Sequence, residues 1–177
     1  EPRLDAAGST FEWRGIEVAV SVPGAHNAIN AAGALTACAL AGASVPAAAA
    51  ALADFRGARR RLERLGETVA GAVVYDDYAH HPTEVAATIA AARPLRPGRL
   101  VAVFQPHLYS RTRALAGAFG RALGEADAVA VLPVYPARER AEDFPGVDGR
   151  LIAAASADAA GARPVAWLPG FDVARTW

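Results

Sequence analysis

The sequence predicts an α/β fold: a Rossmann-like, mostly parallel sheet with flanking helices, preceded by a β-hairpin and helices from a second, incomplete domain. Two observations carry this. From residue 55 onward, short β-branched runs alternate with segments of helical length and period, the pattern of βαβ units. Residues 1–54 differ in texture, with two alternating strands followed by alanine-rich helices. A chain of 177 residues, 53% hydrophobic and 20% charged, is long and apolar enough to bury such a core.

"TFEW" (10–13) and "IEVAVSV" (16–22) alternate on either side of Arg14-Gly15 and read as a hairpin that Pro23-Gly24 ends. Residues 26–41 are strong helix formers that stop at Gly42. A second helix over 45–55 follows Ser44, with Pro46 in its first turn. Small residues suit both helices to close packing on a sheet. After Gly57, "ETVAGAVVYDD" (67–77) reads as one strand, and Pro82 opens a helix to about Ala92 with Val85 and Ile89 on one face. "RLVAVF" (99–104) is the next strand, and a helix over 111–123 aligns Leu115, Phe119 and Leu123. "AVAVLPVY" (128–135), a helix over 147–160 and "RPVAWL" (163–168) complete four strands of one parallel sheet.

Composition excludes several classes. Eighteen basic against eighteen acidic residues leave no charge excess for a nucleic acid or a membrane surface. The alanine run 47–53 is too short to span a bilayer. The single Cys38 cannot form an internal disulfide, and its apolar helical setting predicts a buried core residue in a reduced, cytosolic protein. All eighteen basic residues are arginine. Without lysine there is no Schiff-base chemistry and no G-x-x-x-x-G-K-[ST] phosphate loop. With no Met and no signal peptide at its polar start, the chain is expected to be a piece of a longer protein.

Ligands of open α/β sheets bind beyond the carboxyl ends of the strands. Three polar clusters are predicted to fall there: Asp76-Asp77-Tyr78 with His80-His81, then Gln105, His107, Ser110 and Arg111, then Tyr135 and Glu139. Asp/His pairs can ligate zinc or iron, but adjacent residues rarely reach one ion and no H-x-x-x-H or Cys spacing supports it, so no metal ligand is assigned. Asp77 and His81 could instead cap the helix that starts at Pro82. We favour a ligand cradle: two aspartates and Glu84 make an electronegative mouth suited to hydroxyls such as a ribose diol. The second cluster has the opposite character. His107, Arg111 and Arg113 surround a helix start that Ser110 could cap, and such a start attracts a carboxylate or phosphate.

Four strings, "PGAHNAINA" (23–31), "FRGARRRLE" (55–63), "DDYAHHPTE" (76–84) and "FQPHLYSRT" (104–112), resemble successive signatures of the Mur ligases, in the same order and at similar separations. The resemblance implies a three-domain, ATP-dependent, magnesium-requiring ligase of cytoplasmic peptidoglycan synthesis, joining L-alanine to UDP-N-acetylmuramate through an acyl phosphate. Residues 1–54 would end its central ATP-binding domain, and 55–177 would be a truncated carboxy-terminal domain. The phosphate loop and magnesium ligands would then lie upstream, and this piece alone would be inactive. Partners would be the two substrates and the missing upstream domains, with no nucleic acid and no membrane.

Carried over residue by residue, Asn27 would bind the adenine edge with His26 beside it. Arg61 would reach the nucleotide and Asp77 the ribose hydroxyls. His80 and His81 would lie between nucleotide and substrate and, with His107, form the catalytic group. Tyr78, His107, Ser110, Arg111 and Glu139 would face the substrates, His107 and Arg111 meeting the amino acid and the lactyl carboxylate. Leu108 departs from the family's frequent Arg, so any contact of that Arg is lost; Ala58 and Leu62 are smaller packing departures. The alternatives are a murein peptide ligase of cell-wall recycling, whose relatives lack the "QPHLYSRT" string, a non-catalytic nucleotide-binding domain, and a metal-dependent hydrolase. The absence of G-x-G-x-x-G argues against dinucleotide binding.

Overall fold

The hairpin at the start forms because Arg14 and Gly15 both take positive φ (50° and 79°), the twist that a two-residue hairpin turn requires. In the computed structural model, which describes residues 1–174, β1 (Arg3–Asp5), β2 (Gly8–Trp13) and β3 (Ile16–Val20) form an antiparallel sheet in that order. β1 is not evident in the sequence because it is only three residues long, two of them charged and all three exposed. Gly8 is obligatory: a Cβ there would lie 2.0 Å from the Val20 carbonyl oxygen. α1 (Ala25–Leu40) and α2 (Val45–Ala53) cover this sheet, burying Ala31, Leu35 and Ala49 against Val18 and Val20. Cys38 is half-buried and free, not the core residue its apolar context predicts: it continues the Ala28–Ala31–Leu35 stripe into the last turn of α1, which runs out at the exposed Leu40.

The predicted single strand over 67–77 is instead one arm of a hairpin. β4 (Glu63–Glu67) and β5 (Val73–Asp76) pair antiparallel, and β5 has no partner in the parallel sheet among the described residues. The reversal is made by Thr68–Gly71: the Gly71 N–H donates to the Thr68 carbonyl at 2.9 Å, and Gly71 takes φ 82°. "ERLGE" lacks apolar alternation, so its strand was invisible to pattern; Gly66 absorbs a bulge there.

The residues divide into two compact units, Glu1–Tyr78 with Ala90–Pro97, and Ala79–Ile89 with Gly98–Trp177. In the second, α3 (Pro82–Ala92) supplies Val85 and Ile89, on the face the sequence indicates. β6 (Val101–Phe104), β7 (Ala128–Val131) and β8 (Val165–Trp167) form a three-stranded parallel sheet in that order. α4 (Tyr109–Leu123) and α5 (Gly149–Ala160) are the crossovers, and the short α6 (Phe171–Ala174) follows. Because β7 is central, all four of its residues are buried and its faces split with period two. Val129 and Val131 meet Phe104, Phe119, Leu123 and Ile152; Ala130 meets Leu132 and Leu168.

α4 and α5 approach closely through glycine. A Cβ on Gly120 would lie 2.4 Å from the Ala155 carbonyl carbon and oxygen. Asp148 caps α5, accepting from the Arg150 N–H at 2.8 Å, and the Arg150 guanidinium lies 5.0 Å from the Trp167 ring centre. The fold is thus α/β with a parallel three-stranded sheet flanked by helices.

Candidate functional site

The first unit gathers one group of predicted residues at the start of α1. Gly24 precedes that helix with φ 107°, and a Cβ there would strike the His26 ring at 2.7 Å and Ala91 at 2.9 Å. Only glycine therefore lets the His26 ring lie over the helix start. Asn27 donates from its side-chain amide to the Pro23 carbonyl at 2.7 Å, which fixes the direction of its carboxamide. A cleft of about 420 Å³ opens beside it, with Asn27, Arg56, Arg61, Leu62 and Tyr75 among its walls.

The Asp76–Tyr78 segment holds the arginine run in shape. Asp77 accepts from the Leu62 N–H at 2.8 Å, and the Tyr78 N–H donates to the Arg60 carbonyl at 2.8 Å. Arg60 pairs with Asp76 at 3.3 Å and lies 4.4 Å from the centre of the Tyr78 ring. Arg60 and Leu62 take positive φ, 57° and 47°, so the run alternates direction instead of presenting three parallel guanidinium groups. Tyr78, assigned to the substrates from sequence, falls in this first unit under Arg60. Burial lowers the His26 pKa; Asp77 opposes that and Arg61 adds to it, which puts His26, Arg61 and Asp77 in one electrostatic neighbourhood.

The second unit gathers the histidines. His107 and Tyr135 extend the β6–β7 ladder by an isolated parallel bridge, and the Leu108 N–H donates to the Tyr135 carbonyl at 2.9 Å. The rings of His107 and Tyr135 have centres 5.5 Å apart, and His80 approaches His107 at 6.2 Å. Arg111, one helical turn on, donates from Nη1 to His107 Nδ1 at 3.4 Å, which leaves the ring proton on Nε2. Burial lowers the His107 pKa first, and Arg111, His80 and Arg138 push the same way against Glu139.

Two expectations about helix ends change. Ser110 does not cap α4; Leu108 precedes that helix, with φ 72° and a buried side chain. Glu139 reaches in from the loop after β7, accepting from the Ser110 N–H at 3.0 Å, from the Ser110 hydroxyl and from the Tyr109 backbone. The amino end of α4, predicted to await an external anion, already holds an internal one. Arg113 lies 5.1 Å from the Phe144 ring centre. At α3 the cap is His81, whose Nδ1 accepts from the Thr83 N–H at 3.3 Å, while Asp77 is engaged with Leu62 instead. Glu84 completes a capping box, accepting from the His81 N–H at 3.1 Å and the His80 N–H at 2.9 Å. In the sequence Glu84 reads only as negative charge; its spacing of three from His81 is the signal for a capping box.

These environments set a pH dependence. His26 and His107 are held below the ordinary 6.5, so as pH falls the unfolded chain binds their protons first. Stability present above that value is lost on the way down to the lowered folded pKa values. Glu139 and Asp148, held below 4.5 and 3.8 by hydrogen bonds from Ser110 and Arg150, extend the loss at lower pH. The melting temperature should therefore fall between pH 7.5 and 5.5, less steeply for His107→Gln; a flat profile, or an unaltered slope in the variant, would contradict the assignment.

No described helix is long and apolar enough to cross a membrane. Among the described residues no three His, Cys, Asp or Glu side chains are grouped to hold a metal ion.

Comparison with known proteins gives one consistent picture. The family profile "Mur ligase, glutamate ligase domain" matches residues 60–175. The UDP-N-acetylmuramate–L-alanine ligase of Chlorobaculum tepidum is 51% identical over 140 residues, 78% of this chain and 30% of that protein. The enzyme of the same name from Kineococcus radiotolerans is 56% identical over 138 residues, 77% of this chain and 29% of its own length. The crystal structure of the UDP-N-acetylmuramate–alanine ligase of Thermotoga maritima superposes with a TM-score of 0.71 at 26% identity, covering 94% of this chain and 36% of that one. The chain thus spans about 30% of the length of these curated relatives.

Proposed function

Because the chain belongs to the Mur ligase family, we propose that it is part of a cytoplasmic, ATP-dependent ligase that joins L-alanine to UDP-N-acetylmuramate in peptidoglycan synthesis. Residues 1–54 then end a central ATP-binding domain and 55–177 belong to the carboxy-terminal domain. The names of the curated relatives support this over murein peptide ligation. The observation that carries the nucleotide half is the cleft of about 420 Å³ with Asn27 and Arg61 in its walls, a volume within the range of small-molecule sites. Asp77 fixes Leu62, another wall residue, and His26 shares the electrostatic neighbourhood of Asp77 and Arg61.

The chemistry follows from what the residues can do. The substrate carboxylate attacks the γ-phosphorus of ATP, ADP leaves, and an acyl phosphate forms. The amine of alanine then attacks that carbonyl, expels phosphate and gives up a proton. Positioning and neutralising charge supply most of the rate. Asn27 and His26 hold the adenine end, Arg61 the phosphates' charge, and Asp77 the ribose diol. Arg111 grips a carboxylate through two parallel hydrogen bonds, steadied by His107. His107, neutral near pH 7 and protonated on Nε2, serves as a donor toward the acyl group. His80 and His81 share the remaining proton work; His81 does so through Nε2, since Nδ1 caps α3. Ser110 and Glu139 shape the substrate side of the second unit, and Tyr78, under Arg60 in the first, keeps its assignment to a substrate. Magnesium would neutralise phosphate charge, but no described cluster in this chain fits it, so no step here depends on it.

Asp77→Asn in the full-length enzyme should raise KM for ATP by roughly tenfold, the worth of one charge-assisted hydrogen bond, and leave KM for alanine near the parent. A change confined to alanine would refute the assignment of Asp77 to the nucleotide.

A further inference from the structure

Glu84 has no assigned part in the reaction, yet one of its oxygens organises both histidines of the "AHHPTE" string. Oε2 accepts from the His80 N–H at 2.9 Å and the His81 N–H at 3.1 Å, and stands 3.6 Å from the His80 Nδ1. An ordinary capping box needs only the bond to the N-cap residue. The second amide and the approach to the imidazole exceed that requirement. A carboxylate beside one ring nitrogen selects the tautomer protonated there and turns the opposite nitrogen outward as the basic atom, the arrangement that orients histidines in metal and hydrolase sites. His80 is the histidine whose ring approaches His107, with centres 6.2 Å apart at 53°.

We propose that Glu84 is a positioning residue of the ligase: its carboxylate fixes the His80 ring with the proton on Nδ1 and presents Nε2 to the reacting groups. This rests on the reading that His80 works at the reacting centre. Glu84 touches no substrate itself; it acts through His80, and the two backbone amides it accepts from hold the residues just before α3 against the first turn of that helix. The half-buried setting of both side chains, 33% and 34% exposed, keeps the charge close without isolating it from water.

The test separates this role from capping. Glu84→Gln keeps an oxygen for the two backbone amides but removes the charge; Glu84→Ala removes both. In the full-length ligase, Glu84→Gln should lower kcat roughly tenfold, at the low end for a residue orienting a functional histidine. Its melting temperature should stay near the parent's, with KM for ATP and UDP-N-acetylmuramate within about twofold of the parent's. The 15N spectrum of the His80 ring should show a protonated Nδ1 in the parent and lose that single tautomer in Glu84→Ala. Parental kcat in Glu84→Gln, a loss of activity that merely tracks loss of folded protein, or unchanged ring signals in Glu84→Ala would overturn the proposal. The ring signals do not depend on turnover. A parent protein without ligase activity but with the expected signals would thus refute the functional reading while leaving the Glu84–His80 coupling standing.

Discussion

Arg111→Ala in the full-length ligase is expected to lower kcat/KM for alanine at least about tenfold, with a melting temperature close to the parent's. Hydrogen bonds to charged groups contribute roughly 1.5–3 kcal/mol each, so losing even one of a bidentate pair reaches that figure. The local geometry strengthens the expectation. Tyr109 and Ser110 offer their backbone donors to Glu139, so the amino end of α4 cannot replace the missing guanidinium. Arg111→Lys should recover only part of the loss, because a single ammonium cannot match the planar fork. Arg111 is half-buried at a polar mouth and bonds to His107, so folding has little at stake. Near-parental kinetics, or unfolding in place of inactivity, would show that Arg111 serves the structure alone.

Gly120→Ala is expected to destabilise the chain, and Gly117→Ala on the same helix to stabilise it. Alanine is favoured over glycine inside a helix by about 1 kcal/mol, which is all that operates at Gly117, where an added Cβ meets only the end of Arg121 at 3.7 Å. At Gly120 the new methyl lies 2.4 Å from the backbone of Ala155 and 2.6 Å from its Cβ, and backbone cannot rotate aside. Forcing apart packed elements costs roughly 1–3 kcal/mol and sometimes more, and the backbone collision puts this case at the upper end. Each kcal/mol moves the melting temperature of a chain this size by about 2–4 °C. Thermal melts of the two variants should move in opposite directions. A shared sign would mean that α4 and α5 do not pack through Gly120.

The second unit was largely legible in the sequence. Strand–helix alternation implied that the loop after "RLVAVF" and the loop after "AVAV" open at the same end of a parallel sheet, and His107, Tyr135 and Glu139 do meet there. Periodicity found Val85, Ile89, Phe119 and Leu123 because burial on one helix face is a repeating constraint. What failed was non-repeating. The β4–β5 hairpin hinges on four turn residues, and strong β propensity on both sides of Ala70-Gly71 concealed the reversal. The partner at the start of α4 was misassigned because a side chain from another loop, Glu139, fills the role; at α3 His81 caps as the sequence allowed, while Asp77 is engaged by Leu62. The gathering of His26, Arg61 and Asp77 depends on contacts across fifty residues of chain, which no local pattern encodes.

The carboxylate that seals α4 also bears on inhibitor chemistry. A compound built with an acid group aimed at the backbone donors of Tyr109 and Ser110 would have to evict Glu139 before it could bind, competing with a tethered group whose local concentration never falls. Potency should come instead from an acid directed at the Arg111 guanidinium and a hydrogen-bond acceptor directed at His107 Nε2. Optimisation would then be read as discrimination between the guanidinium and water, and not as occupancy of the helix end.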